Sequence, residues 1–283
     1  MVRFDTSLCL ELRGDYINVY YRGGNLMELR RSKRSAGEYV VSFDSNYFAA
    51  GEEIALPDGA VRSRVELARW LSSWPALKRA IDRWVSSTRA NAEREFQQLA
   101  VRDNNFGSVA RATDYYVCDI EYQSRRGRFD MIAVHWPSVS AIRKHARGRR
   151  LVFVEIKYGD SALGNLHAHL AHVNAFASDP HRLAGFKQDM VHVFNQKREL
   201  GLLDCGNRLE GFSDERPLFL LMLANHDPQK PALSKLLTSL PASPHVEVRI
   251  ATASFFGHGL FDQGVHPVQT VLERFGEYLL APR

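Results

Sequence analysis

The chain has 283 residues, of which 45% are hydrophobic, enough for one large domain or two modest ones with a packed core. Lys and Arg exceed Asp and Glu by 37 to 32, a net charge of +5 that permits a polyanionic partner without requiring one. The three cysteines, Cys9, Cys118 and Cys205, are far apart, odd in number and in no Cys-x-x-Cys pair, so they suggest neither a disulfide framework nor a thiolate zinc site, and a reducing cytoplasm is expected.

The opening stretch, MVRFDTSLCLELRGD, is charged too early for the apolar core of a signal peptide, and no apolar run approaches the roughly 18 residues of a membrane helix. The chain is therefore expected to be neither exported nor embedded. Residues 8–48 mix aromatic and β-branched residues with the turn Gly23-Gly24-Asn25, which predicts short antiparallel strands. Arg22-Gly23-Gly24-Asn25 lacks the spacing of a nucleotide-binding glycine loop and reads as a plain turn. From residue 62 to 99 the spacing becomes helical, with Val65, Leu67, Trp70, Leu71 and Trp74, a break near Pro75, then Leu77, Ile81, Trp84 and Val85. A boundary near residue 85 divides a β-rich and helical N-terminal extension, 1–85, from a second domain, 86–283.

In that second domain, YYVCDIEYQ (115–123), FDMIAVHW (129–136) and LVFVEIKYG (151–159) read as strands, joined by the turn SRRGR and a basic loop. Residues 163–200 read as helical, 217–225 as a strand, 232–240 as a helix and 246–256 as a strand. The order is helix, three strands, helix, strand, with a further strand behind.

The strand RRLVFVEIKYG ends in two opposite charges. Side chains alternate along a strand, so Glu155 and Lys157 project together while Val154 and Ile156 project to the other side. Asp130 stands near the start of the preceding strand, and the helix RANAEREFQQL offers a further acid, Glu93 or Glu95. An Asp, then Glu-x-Lys, in this element order and behind a helical acid, resembles the PD-(D/E)XK nuclease superfamily over about residues 90–225. The family's first-motif proline is absent, Phe129 preceding Asp130.

The resemblance implies an α/β (α+β) fold with a restriction-endonuclease-like mixed central sheet flanked by helices. It implies a Mg²⁺- or Mn²⁺-dependent nuclease that hydrolyses phosphodiester bonds, with DNA as the expected substrate. The residue types suit that chemistry. Mg²⁺ takes one or two carboxylates plus waters and substrate oxygens, so Asp130 and Glu155 are the expected ligands, with the Ile156 carbonyl as a further one. Lys157 would orient or help deprotonate the attacking water. Helical periodicity does not choose between Glu93 and Glu95, which flank the apolar stripe about equally. EREFQQL resembles the Glu-x-x-x-Leu first helix of relatives, which favours Glu95, with Gln98 one turn on.

Four further features carry expectations. The loop AIRKHARGRR places Arg143, Lys144, Arg147, Arg149 and Arg150 between the two acid-bearing strands, where they would track phosphates. Lys187 and Lys197 lie on the following helix, where relatives of the resembled family place phosphate contacts. His167, His169 and His172 invite a zinc reading, but on one helix His167 and His169 diverge, so all three are not expected to converge. In the hairpin, a two-residue loop at Arg125-Arg126 or a four-residue loop from Ser124 to Gly127 sets Glu121 directly opposite Asp130. Asp119, Glu121 and Gln123 then share one face, and Glu121 becomes an accessory acid. The rival readings are a catalytically silent nucleic-acid- or protein-binding module and a histidine zinc hydrolase. A homodimer is compatible with cleavage of both strands.

Overall fold

The computed structural model describes residues 2–48, 54–88, 92–124, 127–145, 147–225, 235–236 and 238–254. The first sheet is an antiparallel meander of β1 (Leu8–Leu12), β2 (Tyr16–Tyr21), β3 (Gly24–Arg31), β4 (Tyr39–Ser42) and β5 (Ala60–Val61), in that spatial order. Arg22 and Gly23 join β2 to β3 with φ of 47° and 76°, the left-handed pair of a tight hairpin. Helix α1 (Arg64–Thr88) lies across the sheet and buries Trp70, Trp74, Leu77 and Ile81 against Leu26, Met27, Val41 and Val61. Its start is a reciprocal cap: Ser63 Oγ accepts from the Glu66 amide at 3.2 Å, and Glu66 Oε2 accepts from the Ser63 amide at 2.9 Å. The break expected at Pro75 does not occur. Trp74 and Leu77, buried on either side of it, hold both halves of the helix to the same sheet. The helix runs on to Thr88, past the boundary expected near residue 85.

Helices α2 (Ala92–Asn105) and α3 (Gly107–Ala112) lead into the second sheet, built from β6 (Tyr115–Ser124), β7 (Gly127–His135), β8 (Arg150–Tyr158), β9 (Leu218–Ala224) and β10 (Glu247–Ser254). A short helix α4 (Ser140–Arg143) sits between β7 and β8, and α5 (Leu166–Ala177) and α6 (Pro180–Glu199) between β8 and β9. The spatial order is β10-β9-β8-β7-β6, with β6, β7 and β8 antiparallel and β8, β9 and β10 parallel. The described residues thus form a mixed α/β structure with two sheets. Both faces of the second sheet are covered: Ala100 and Val101 of α2 meet Val117, Met131, Val152 and Ile156, while Leu170, Phe176, Phe186 and Phe194 of α5 and α6 meet Phe129, Ile132 and Phe153. This explains why β8 is buried from Leu151 to Lys157 and reads as a continuous apolar run. Of the helix expected at 232–240, residues 235, 236 and 238 are helical, 239 and 240 are not, and 232–234 and 237 lie outside the described residues.

The two sheets share a core, since Cys9 and Tyr20 pack with Ala100, Val117 and Ile120. Two buried ion pairs cross the junction. Arg13 bonds Asp119 at 2.7 Å and also donates to the Ile120 carbonyl at 2.6 Å, covering the outer edge of β6. Lys197, 1% exposed, meets Glu11 at 2.6 Å. The expected phosphate-contacting role of Lys197 is therefore corrected: its ammonium is sealed in the junction.

Candidate metal centre

The register that pairs Met131 with Val154 sets Asp130 level with Glu155 on neighbouring strands. The Ile156 amide reaches across to Asp130 Oδ2 at 3.4 Å, while the Ile156 side chain is buried in the core. Helix α5 buries Leu166, Leu170, Val173 and Phe176 on the sheet, which leaves His169 at the margin of that stripe, beside the strands. His169 Nδ1 lies 2.6 Å from Glu155 Oε1, and Lys157 Nζ lies 2.5 Å from the same oxygen. One ligand atom each from Asp130, Glu155 and His169 fall within 4.8 Å of one another. A pocket of about 380 Å³ opens onto the three, floored by Phe129, Phe153 and Phe219 and flanked by Arg128 and His172.

Charge is crowded here. Burial, and then the Glu155 charge, push the Asp130 carboxyl up to about 7 against the pull of Lys157. Burial also drives Glu155 upward, but His169 and Lys157 outweigh it and hold the carboxyl below its ordinary value. Burial opposes the charged form of Lys157, and the carboxylates of Glu155, Glu93 and Asp130 overcome it and raise the ammonium. The contact with Glu155 likewise raises His169.

Glu93, not Glu95, is the helical acid at this site. Its carboxyl accepts from the Tyr158 amide and is raised by burial against the pull of Lys157. Glu95 turns away and pairs with Arg22 at 3.0 Å. The reason is the β2–β3 hairpin: a Cβ at Gly23 would stand 2.5 Å from Arg94 Cβ, so its tip rests on the first turn of α2 and presents Arg22 to Glu95. Gln98 is corrected with it, lining a pocket with Val2, Asp5 and Cys9 beneath the N-terminus. Gln97, one turn beyond Glu93, is the buried glutamine, 1% exposed.

Near the turn the hairpin has the expected register, Ser124 facing Gly127 and Tyr122 facing Phe129, with the loop residues 125 and 126 outside the described residues. The shared acidic face is corrected. Ile120 packs on the α2 side and Tyr122 on the α5–α6 side, and Glu121 between them takes φ of 49°, which breaks the strand's alternation. Asp119 is held by Arg13 instead. The Glu121 carboxylate lies 3.6 Å from Arg94, and its charge raises both Asp130 and Glu93.

The basic loop is corrected as well. It joins the ends of β7 and β8 remote from the site, with Arg150 five residues from Glu155, about 17 Å along the strand. Arg149 is buried, donates to the Ile142 carbonyl at 2.6 Å and stacks 4.9 Å from the Trp136 ring. Arg143 donates to the Thr113 carbonyl and the Tyr116 hydroxyl. Arg150 pairs with Glu247 at 2.7 Å and Arg147 with Glu210, while Lys144 is exposed. Lys187, on α6, donates to the Ser213 carbonyl at 2.6 Å, beside Arg149 rather than Glu155.

The three histidines do not converge: His167 points away and lies 3.2 Å from Ser239 Oγ, while His169 and His172 border the same pocket, His172 5.7 Å from the Phe129 ring. His169 is the functional candidate that sequence reasoning missed. The signal was present, because helical spacing that turns His167 away from His169 still allows His169 to face the acids. Models of protein families, curated proteins and solved structures provide no match to this chain.

Proposed function

We propose that the chain is a metal-dependent nuclease of the PD-(D/E)XK type that hydrolyses phosphodiester bonds in nucleic acid, with DNA as the expected substrate. The observation that carries this reading is the convergence of Asp130, Glu155 and Lys157 at one end of β7 and β8, with Glu93 of α2 in electrostatic reach. The succession α2, β6, β7, β8, α5–α6, β9 also follows the element order of the family the sequence resembles.

The residues fit a divalent cation. Glu93, Glu121, Asp130 and Glu155 act on one another within one electrostatic cluster, and oxygens of Asp130 and Glu155 lie with a His169 nitrogen within 4.8 Å of one another. Asp130 and Glu155 would hold the ion. When bound, such an ion polarises a phosphoryl oxygen and lowers the pKa of its water. Lys157, whose ammonium the surrounding carboxylates favour, would supply positive charge and a hydrogen-bond donor toward phosphate or water. Glu93 supports that charge on Lys157 from the helix. The pocket beside the acids gives a phosphodiester access to them.

The test is incubation with plasmid, linear and single-stranded DNA and with RNA, each in Mg²⁺, Mn²⁺ or EDTA. Cleavage in the presence of metal, strongest on DNA and absent in EDTA, is the expected result. Binding of nucleic acid with no cleavage in any metal supports a silent binding module instead.

A further inference from the structure

We propose that His169 is a third protein ligand of this centre, making it a mixed nitrogen–oxygen site that takes a first-row transition-metal dication in preference to Mg²⁺. The inference rests on the metal-binding part of the function proposed above and is independent of whether DNA is the substrate. Three observations lead to it. The His169 nitrogen and the two carboxylate oxygens are drawn within 4.8 Å of one another, close enough for one ion to touch all three after small side-chain adjustments. The nitrogen that faces the acids is Nδ1, 2.6 Å from Glu155 Oε1, so the imidazole is already aimed at the oxygen expected to bind metal. The ring belongs to α5, whose apolar stripe of Leu166, Leu170 and Val173 is packed on the sheet, so the helix backbone holds it in place.

The donor set decides the metal class. Mg²⁺ is a hard cation that favours six oxygens in near-ideal octahedral geometry and gives up its waters reluctantly. An imidazole nitrogen instead improves binding along the first-row series, from Mn²⁺ upward, while carboxylates alone discriminate little among hard cations. Two carboxylates and one imidazole leave positions open for water and substrate, as catalysis needs. The side chain of His169 is 39% exposed at the pocket, so the ring can turn toward an incoming ion without unpacking the core.

The experiment uses the full chain without nucleic acid. Mn²⁺ binding is followed by the electron paramagnetic resonance signal of free Mn²⁺, with Mg²⁺ as competitor, for wild type, His169→Ala, His169→Gln and Asp130→Ala. Pulsed resonance on the bound Mn²⁺ reads nitrogen coupling directly. Wild type is expected to bind Mn²⁺ at least about tenfold tighter than Mg²⁺ and to show a coordinated nitrogen. Both His169 variants should lose that coupling, and His169→Ala should lose about 10- to 100-fold in Mn²⁺ affinity with little change for Mg²⁺. His169→Gln retains a polar group of similar reach, so it guards against an effect of lost packing. If both variants keep the wild-type Mn²⁺ to Mg²⁺ ratio, or wild-type Mn²⁺ shows no nitrogen coupling, His169 is not a ligand, although loss of binding in Asp130→Ala would leave the metal site standing. Undiminished binding in Asp130→Ala would instead remove the site itself.

Discussion

Asp130 sits where burial and the Glu155 charge raise its carboxyl to about 7, well above the roughly 3.9 of an unfolded aspartate. A folded-state value above the unfolded one means that folding favours the protonated acid. The associated stability is full below pH about 4, is lost as pH rises toward about 7, and stays lost above it. Relative to Asp130→Asn, the metal-free wild type should therefore lose melting temperature across that interval. Thermal melts at a series of pH values check this, and parallel curves for the two proteins would contradict it. The helical acids offer a second contrast. Glu93→Ala should sharply reduce cleavage, whereas Glu95→Ala breaks only a half-exposed pair with Arg22 and should leave cleavage intact with a stability change within about 1 kcal/mol. Equal losses from the two would contradict the assignment. Asp130, Glu155 and Lys157 were legible because strand alternation and order suffice to bring them together. The choice of Glu93 was not, since it depends on a hairpin tip resting against α2 from some seventy residues upstream in sequence.

Elements were legible where a local period governs them. Strands β1–β4 and β6–β9 fall where alternation and turn residues place them, and the β6–β7 register near the turn follows from the hairpin spacing. What escaped was any feature set by partners distant in sequence: the continuity of α1 through Pro75, the irregular backbone at Glu121, and the burial of Lys197. Lys197 illustrates the cost of that. A lysine at the end of α6 looks like a solvated cation until β1 brings Glu11 against it. Removing it leaves Glu11 buried without its cation, where burial already pushes the carboxyl up to about 8, so Lys197→Ala should destabilise the fold, by up to about 3–5 kcal/mol at high pH where Glu11 is ionised and by less where it takes up a proton. Replacing both partners, as Glu11→Leu with Lys197→Met, should cost markedly less, as denaturant titrations can show. A double variant as unstable as the single one would mean that the pair does more than neutralise itself.

Across the whole molecule, a net charge of +5 is compatible with a polyanionic partner, yet of the basic loop Arg143, Arg149 and Arg150 are bonded into the fold, and only Lys144 and Arg147 stay exposed. A combined Arg143, Lys144, Arg147 and Arg149 to Ala variant should lower the melting temperature and leave the salt dependence of DNA binding unchanged. A stable variant whose slope falls by roughly 0.9 per lost contact would return the loop to a phosphate-binding role. The second sheet is covered by helices on both faces, and at the ends of β7 and β8 acidic and basic groups gather beside a pocket. The most direct measurement is single-turnover cleavage of DNA by wild type, Asp130→Ala and Lys157→Ala, side by side in Mn²⁺ and in EDTA, with folding confirmed by circular dichroism. Cleavage by wild type in Mn²⁺ alone, falling by at least about a hundredfold in either variant, is the predicted result. Cleavage that persists in EDTA, or that Asp130→Ala performs as well as wild type, contradicts the account.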